Sequence, residues 1–77
     1  MNKQRRKKLE DVLDRLQGCM TDLEYIKEEE QEAYDNLPES LQYSEKGEQM
    51  QENVDDIDYV ISDLDSVNNS LEDIINK

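Results

Sequence analysis

Apolar residues recur at steps of three and four along the first half of the chain, at Leu9, Val12, Leu16, Cys19, Leu23 and Ile26. The second half repeats the pattern at Met50, Ile57, Val60, Leu64, Val67, Leu71 and Ile74. Written as heptads abcdefg with Leu9 at a in the first half and Met50 at a in the second, these residues fall at a and d, and acids are concentrated at the other positions. Sustained spacing of this kind predicts amphipathic helices that pack through an a/d seam. The first helix is expected over about 3–35 and the second over about 45–76. Each is roughly 48 Å long at 1.5 Å per residue.

Between them lies AYDNLPESLQYSEKGEQM, which holds the only proline. Proline lacks a backbone donor and pushes the residue before it out of the α region, so Leu37-Pro38 ends the first helix. The bend is expected over about 36–44, with Ser44 as N-cap of the second helix. PESLQ suits one short helical turn, because proline is tolerated in a first turn. Gly47 looks tolerable near the start of a helix, whereas Gly18, in a helix interior, costs about 1 kcal/mol relative to alanine.

A short bend joining two long helices predicts an all-α, antiparallel two-helix hairpin. Antiparallel seams join a residues to d residues. The alignment Leu9–Ile74, Val12–Leu71, Leu16–Val67, Cys19–Leu64, Leu23–Val60, Ile26–Ile57 and Ala33–Met50 is apolar at every layer. It also sets Glu30 beside Asn53, a polar layer that would fix register at some cost in stability. Position e is apolar too, at Leu13, Met20, Tyr34, Val54, Ile61 and Ile75. One partner helix needs only a and d, so the wider stripe predicts more helices: a homodimer forming a four-helix bundle.

Composition adds a constraint on partners. The 77 residues carry 21 acids and 9 bases, a net charge of −12. Five bases (Lys3, Arg5, Arg6, Lys7 and Lys8) lie in the first eight residues, so the chain from Leu9 onward holds 4 bases against 21 acids, net −17. Such a body repels nucleic acid and anionic membrane, and it suits a basic protein surface. Neither direct nucleic-acid binding nor membrane association is expected. Low hydrophobicity with high charge is also the signature of disorder, but the heptad periodicity overrides it. The basic start is expected to lie beside the negative C-terminal end of the second helix, near Glu72 and Asp73. No signal peptide or membrane span is legible, so a cytoplasmic location is expected.

Candidate chemistry is sparse. Histidine is absent and one cysteine is present, which removes the usual base of hydrolytic triads and any internal disulfide. Cys19, at a d position, reads as a small core residue. Glu24, Glu28 and Glu32 form a carboxylate row on the solvent side, without the histidines of a di-iron bundle. DDIDYVISDLD lacks the glycine and spacing of a calcium loop. No enzyme activity, cofactor or metal is expected. Tyr25 and Tyr59, both at position c, read either as interface anchors or as cover for the flank of a bundle. The acids outside the seam, including Asp55, Asp56, Asp58, Asp63 and Asp65 with Glu24 and Glu28, read either as a solubilising coat or as a mimic of duplex phosphate.

At AYDNLPESLQYSEKGEQM, followed by Val54, Ile57, Ile61 and Leu64, the sequence resembles a group of short acidic coiled-coil proteins. These are encoded in phages and mobile elements of Gram-positive bacteria. They share a basic start, a glutamate-rich first helix and an NLPESLQ-type bend. Small acidic proteins in such genomes include inhibitors of host defence nucleases, anti-CRISPR proteins among them. The resemblance therefore implies two readings: a protein-interaction module, or an acidic inhibitor of a protein with a basic groove. It carries no functional residues with it.

Overall fold

Asn2 starts the first helix: its side chain accepts a hydrogen bond from the Arg5 amide at 2.8 Å, satisfying one of the donors that a helix start leaves unpaired. In the computed structural model, which describes residues 1–77, helix α1 runs from Lys3 to Asp35. A single turn, α2, spans Glu39–Gln42, and α3 spans Glu45–Ile75. There are no strands, and α1 and α3 pack side by side as an antiparallel hairpin. The result is a rod of 59 × 15 × 12 Å, one layer of two helices thick.

The bend is more than a break. Leu41 and Gln42 amides both donate to the Pro38 carbonyl, which makes α2 a closed turn. The Gln42 side chain reaches back and donates to the carbonyls of Leu37 at 3.2 Å and Tyr34 at 3.3 Å. A helix C-terminus leaves its last carbonyls without intrahelical partners, and in that last turn of α1 Gln42 reaches the carbonyl of Asp35, at 3.4 Å, as well as that of Tyr34. Ser44 caps α3 by accepting from the Gly47 amide at 3.4 Å, and its hydroxyl donates to the Leu41 carbonyl. Gly47 is itself buried. A Cβ there would overlap the Gln42 carbonyl and lie 2.7 Å from the Leu41 carbonyl oxygen. The expectation that Gly47 is merely tolerated is therefore corrected: only a residue without a side chain lets α3 start against α2.

The seam also differs from the a/d expectation. Positions a (Leu9, Leu16, Leu23, Met50, Ile57, Leu64 and Leu71) are half-buried. So are the apolar e positions Leu13, Met20, Tyr34, Val54 and Ile75, while Ile61, also at e, is the one buried large apolar residue. The d positions turn away. Cys19, Ile26, Ala33, Val60, Val67 and Ile74 are exposed, and Val12 is half-buried. The single-chain seam is a/e, and the seven a–d layers read from the sequence are not its core.

The physical reason lies in the columns. At about 100° per residue, d, a and e form three adjacent stripes on one helix. One neighbouring helix can cover two of them. The bend decides which two, because Gly47 sits at position e and packs against Leu41 and Gln42. That contact turns the e column of α3 inward from its first turn.

Cross-helix contacts agree. Met20 and Asn68, both at e, meet with the Asn68 amide 2.8 Å from the Met20 sulfur. Lys27, at e, pairs with Asp58 at 3.0 Å on the same side. Glu30, at a, accepts from Asn53, at d, at 3.2 Å on the opposite side. The Glu30–Asn53 contact read from the sequence is thus present, but as the edge of an a/e seam. The Lys27–Asp58 and Met20–Asn68 contacts set Ile75 between the levels of Glu10 and Leu13, so the first turn of α1 runs past the end of α3. Accordingly, Glu72 and Asp73 form no ion pair with the basic start; the ion pair of the chain is Lys27–Asp58.

Candidate interaction surface

Two helices that turn a and e toward each other in antiparallel fashion bring both a columns to one side of the rod and both e columns to the other. The d columns flank the a side. Both sets of apolar d residues therefore share one face, with half-buried Val12 and exposed Cys19, Ile26 and Ala33 along α1 and exposed Val60, Val67 and Ile74 along α3. Ile26 is 49% exposed, Val60 47% and Val67 45%. Half-buried Leu16, Leu23, Ile57 and Leu64 form the floor between the stripes. At the terminal end of the same face, a depression of about 310 Å³ is lined by Met1, Arg5, Lys8, Leu9 and Val12.

A row of aliphatic side chains in water is costly. Each Å² of apolar surface removed from water contributes roughly 25 cal/mol. Scattered surface leucines need no explanation, but a continuous stripe rimmed by charge is the mark of an interaction site. This face is such a stripe. The reverse face is different: Glu24, Asp58 and Asp65, at position b, line it beside the e columns, and the buried contact there is polar. Asn68 is only 5% exposed, and its carbonyl oxygen has no hydrogen-bond partner. In the sequence Asn68 stands out only as part of an Asn-Asn-Ser triplet. Its one signal is an e position shared with Ile61 and Ile75.

The residues singled out from the sequence do not converge. Tyr25 and Tyr59 are both exposed, but position c puts them on opposite outer edges of the rod. Asp55 and Glu28, at f, also face outward, and Asp56 and Asp63, at g, border the apolar face. A shallow depression of about 320 Å³ joins Asp55, Asp58, Tyr59 and Ser62 on the outside of α3. No group of three or more Asp, Glu, Cys or His side chains is gathered to hold a metal ion. No helix is long and apolar enough to cross a membrane. Cys19, expected in the core, is exposed on the apolar face, because its d column is the stripe that α3 does not cover. Compared with protein families, with characterised proteins and with solved structures, the chain matches none.

Proposed function

We propose that the chain is a non-enzymatic, cytoplasmic protein-interaction module whose docking surface is the apolar d face. One observation carries this reading: the seam of the hairpin uses a and e, which leaves Cys19, Ile26 and Ala33 on α1 and Val60, Val67 and Ile74 on α3 exposed along one face. Coiled-coil association is driven by burial of such apolar residues. Val60 and Val67 are the central anchors on α3, with Ile26 facing them from α1.

The test is capture from extract of the producing cell with the wild-type chain and with Val60→Glu/Val67→Glu. Both residues are exposed in the single chain, so the variant is expected to keep its helicity. It should lose its bound proteins. Equal recovery by both chains would refute the face as the docking surface.

A second reading has its own observation. Of 21 acids only Asp58 is in an ion pair, so a rod 59 Å long presents a net charge of −12 that the 9 bases offset only in part. Such a field suits a protein with a basic nucleic-acid groove, the kind of target that the phage and mobile-element resemblance implies. Binding of this type weakens steeply with salt. It would be lost on Asp55→Lys/Asp56→Lys/Asp58→Lys, whereas docking through the d face would persist.

A further inference from the structure

The apolar face is large enough for a second copy of the chain, and the charges at its edges discriminate between the ways that copy can lie. From Leu9 to Ala33 the face is about 36 Å long, and it spans two helices about 10 Å apart. That gives roughly 700 Å², close to the ~800 Å² per partner of a standard interface. The chain exposes 5882 Å², whereas a compact monomer of 9.1 kDa exposes about 4,900 Å². The excess, about 1,000 Å², is the size of one such face.

Position g borders d on the outer edge of this face. In α1 it carries Lys8, Arg15, Asp22 and Glu29; in α3 it carries Gln49, Asp56, Asp63 and Ser70, with Lys77 just beyond the helix end. Bases thus mark the end with the termini, and acids mark the part toward the bend. Two face-to-face arrangements have twofold symmetry and keep neighbouring helices antiparallel. Heights along the rod are taken from the Lys27–Asp58 pair, which lies between the Glu30–Asn53 and Met20–Asn68 contacts in register.

In the first arrangement the twofold runs along the rod, and α1 lies over α3 of the second copy. Asp22 then meets Asp63 and Glu29 meets Asp56. Every charged pair is repulsive. In the second the twofold crosses the rod, the termini lie at opposite ends, and each helix lies over its own copy. Lys8 then meets Glu29 and Arg15 meets Asp22. Every charged pair is attractive, and the layers beneath stay apolar, with Leu16 on Cys19 and Leu64 on Val67.

We propose that a second copy of the chain occupies the apolar face in this second arrangement, head to tail, closing a four-helix bundle. The proposal rests on the use of the d face for protein docking. It places the twofold beside Cys19, so the two Cys19 Cβ atoms come within about 4–6 Å, a span a disulfide can bridge. In the first arrangement they stay about 10 Å apart, on diagonally opposed helices, and cannot be bridged.

The experiment uses the full chain in sedimentation equilibrium up to about 100 µM, a range that detects micromolar dimers. Mild oxidation is applied in parallel. A dimer that cross-links through Cys19 is expected. Asp22→Arg should weaken it about tenfold, because the introduced guanidinium would face Arg15 twice per dimer, and Arg15→Glu/Asp22→Arg should restore it. A dimer that tightens with Asp22→Arg and resists oxidation would overturn the arrangement. A chain monomeric at the highest concentration would overturn the second copy as occupant. Capture that still depends on Val60 and Val67 would then leave the docking face standing, whereas capture indifferent to both would remove that as well.

Discussion

The chain has two glycines, both inside helices, and the same substitution should act on them with opposite sign. At Gly18 an added Cβ meets nothing within 4 Å. Gly18→Ala should therefore gain only the helix-propensity difference, about 1 kcal/mol. At Gly47 the added Cβ overlaps the Gln42 carbonyl and approaches that of Leu41. Both are backbone atoms that cannot rotate aside, so α2 must shift away from α3, and its shift pulls Gln42 from the Tyr34 and Leu37 carbonyls. Overpacking of this kind costs about 1–3 kcal/mol, and the propensity gain of about 1 kcal/mol offsets only part of it once the Gln42 bonds also weaken. The net expectation is a loss of about 1–2 kcal/mol. With an unfolding entropy of about 2.1 cal/mol/K per residue, 1 kcal/mol moves the Tm of a chain this size by about 6 °C. Thermal melts followed by circular dichroism, at matched protein concentration, should raise Tm by about 6 °C for Gly18→Ala and lower it by about 6–12 °C for Gly47→Ala. If both variants rise together, the close approach of α2 to α3 does not exist and the inward turn of the e column loses its cause.

Ile61→Ala should cost about 2–4 kcal/mol in chemical denaturation, because Ile61 is the buried apolar residue of the seam, while Val60→Ala should cost far less in the isolated chain at low concentration. Asn68→Leu should stabilise by about 1 kcal/mol, since it removes a buried carbonyl with no partner; a destabilised variant in urea titration would mean that the Met20 contact outweighs that oxygen. Gln42→Ala should lose about 1 kcal/mol and speed amide exchange in the last turn of α1, where Gln42 holds the Tyr34 carbonyl. A double-mutant cycle on Lys27 and Asp58 should return under about 1 kcal/mol, because Asp58 is largely exposed and solvent screens the pair.

Much of this is readable from the heptad pattern alone, and what is not has a definite cause. Leu37-Pro38 and Ser44 announce where one helix stops and the other starts. The repeat at Leu9, Leu16 and Leu23 announces that the a column is inside. Periodicity cannot choose between d and e as its companion, because both columns are apolar and both lie beside a. That choice is made by one glycine, Gly47, whose role depends on where the Gln42 backbone sits, and no spacing rule encodes that. Gln42 is likewise illegible, since a glutamine in a bend is ordinary until its amide is found under three carbonyls. The candidate acids are the least legible of all. Abundance groups them, whereas their columns scatter them around the rod, and only Asp56 and Asp63 border the apolar face.

The Gln42 clasp also bears on how the chain reaches this shape. Its bonds to Tyr34 and Leu37 span eight residues or fewer, while Met20 and Asn68 are 48 apart. Loop closure costs more entropy the longer the segment it closes, so the turn should form first and the helices zip outward from it, each layer shortening the loop left for the next. The rate of folding would then be governed at the bend and the rate of unfolding at the free ends. In stopped-flow experiments Gln42→Ala should slow refolding, and Leu13→Ala should chiefly hasten unfolding. The reverse result would place the nucleus at the termini. A stretch that reads as a mere join between two helices would be where the molecule begins.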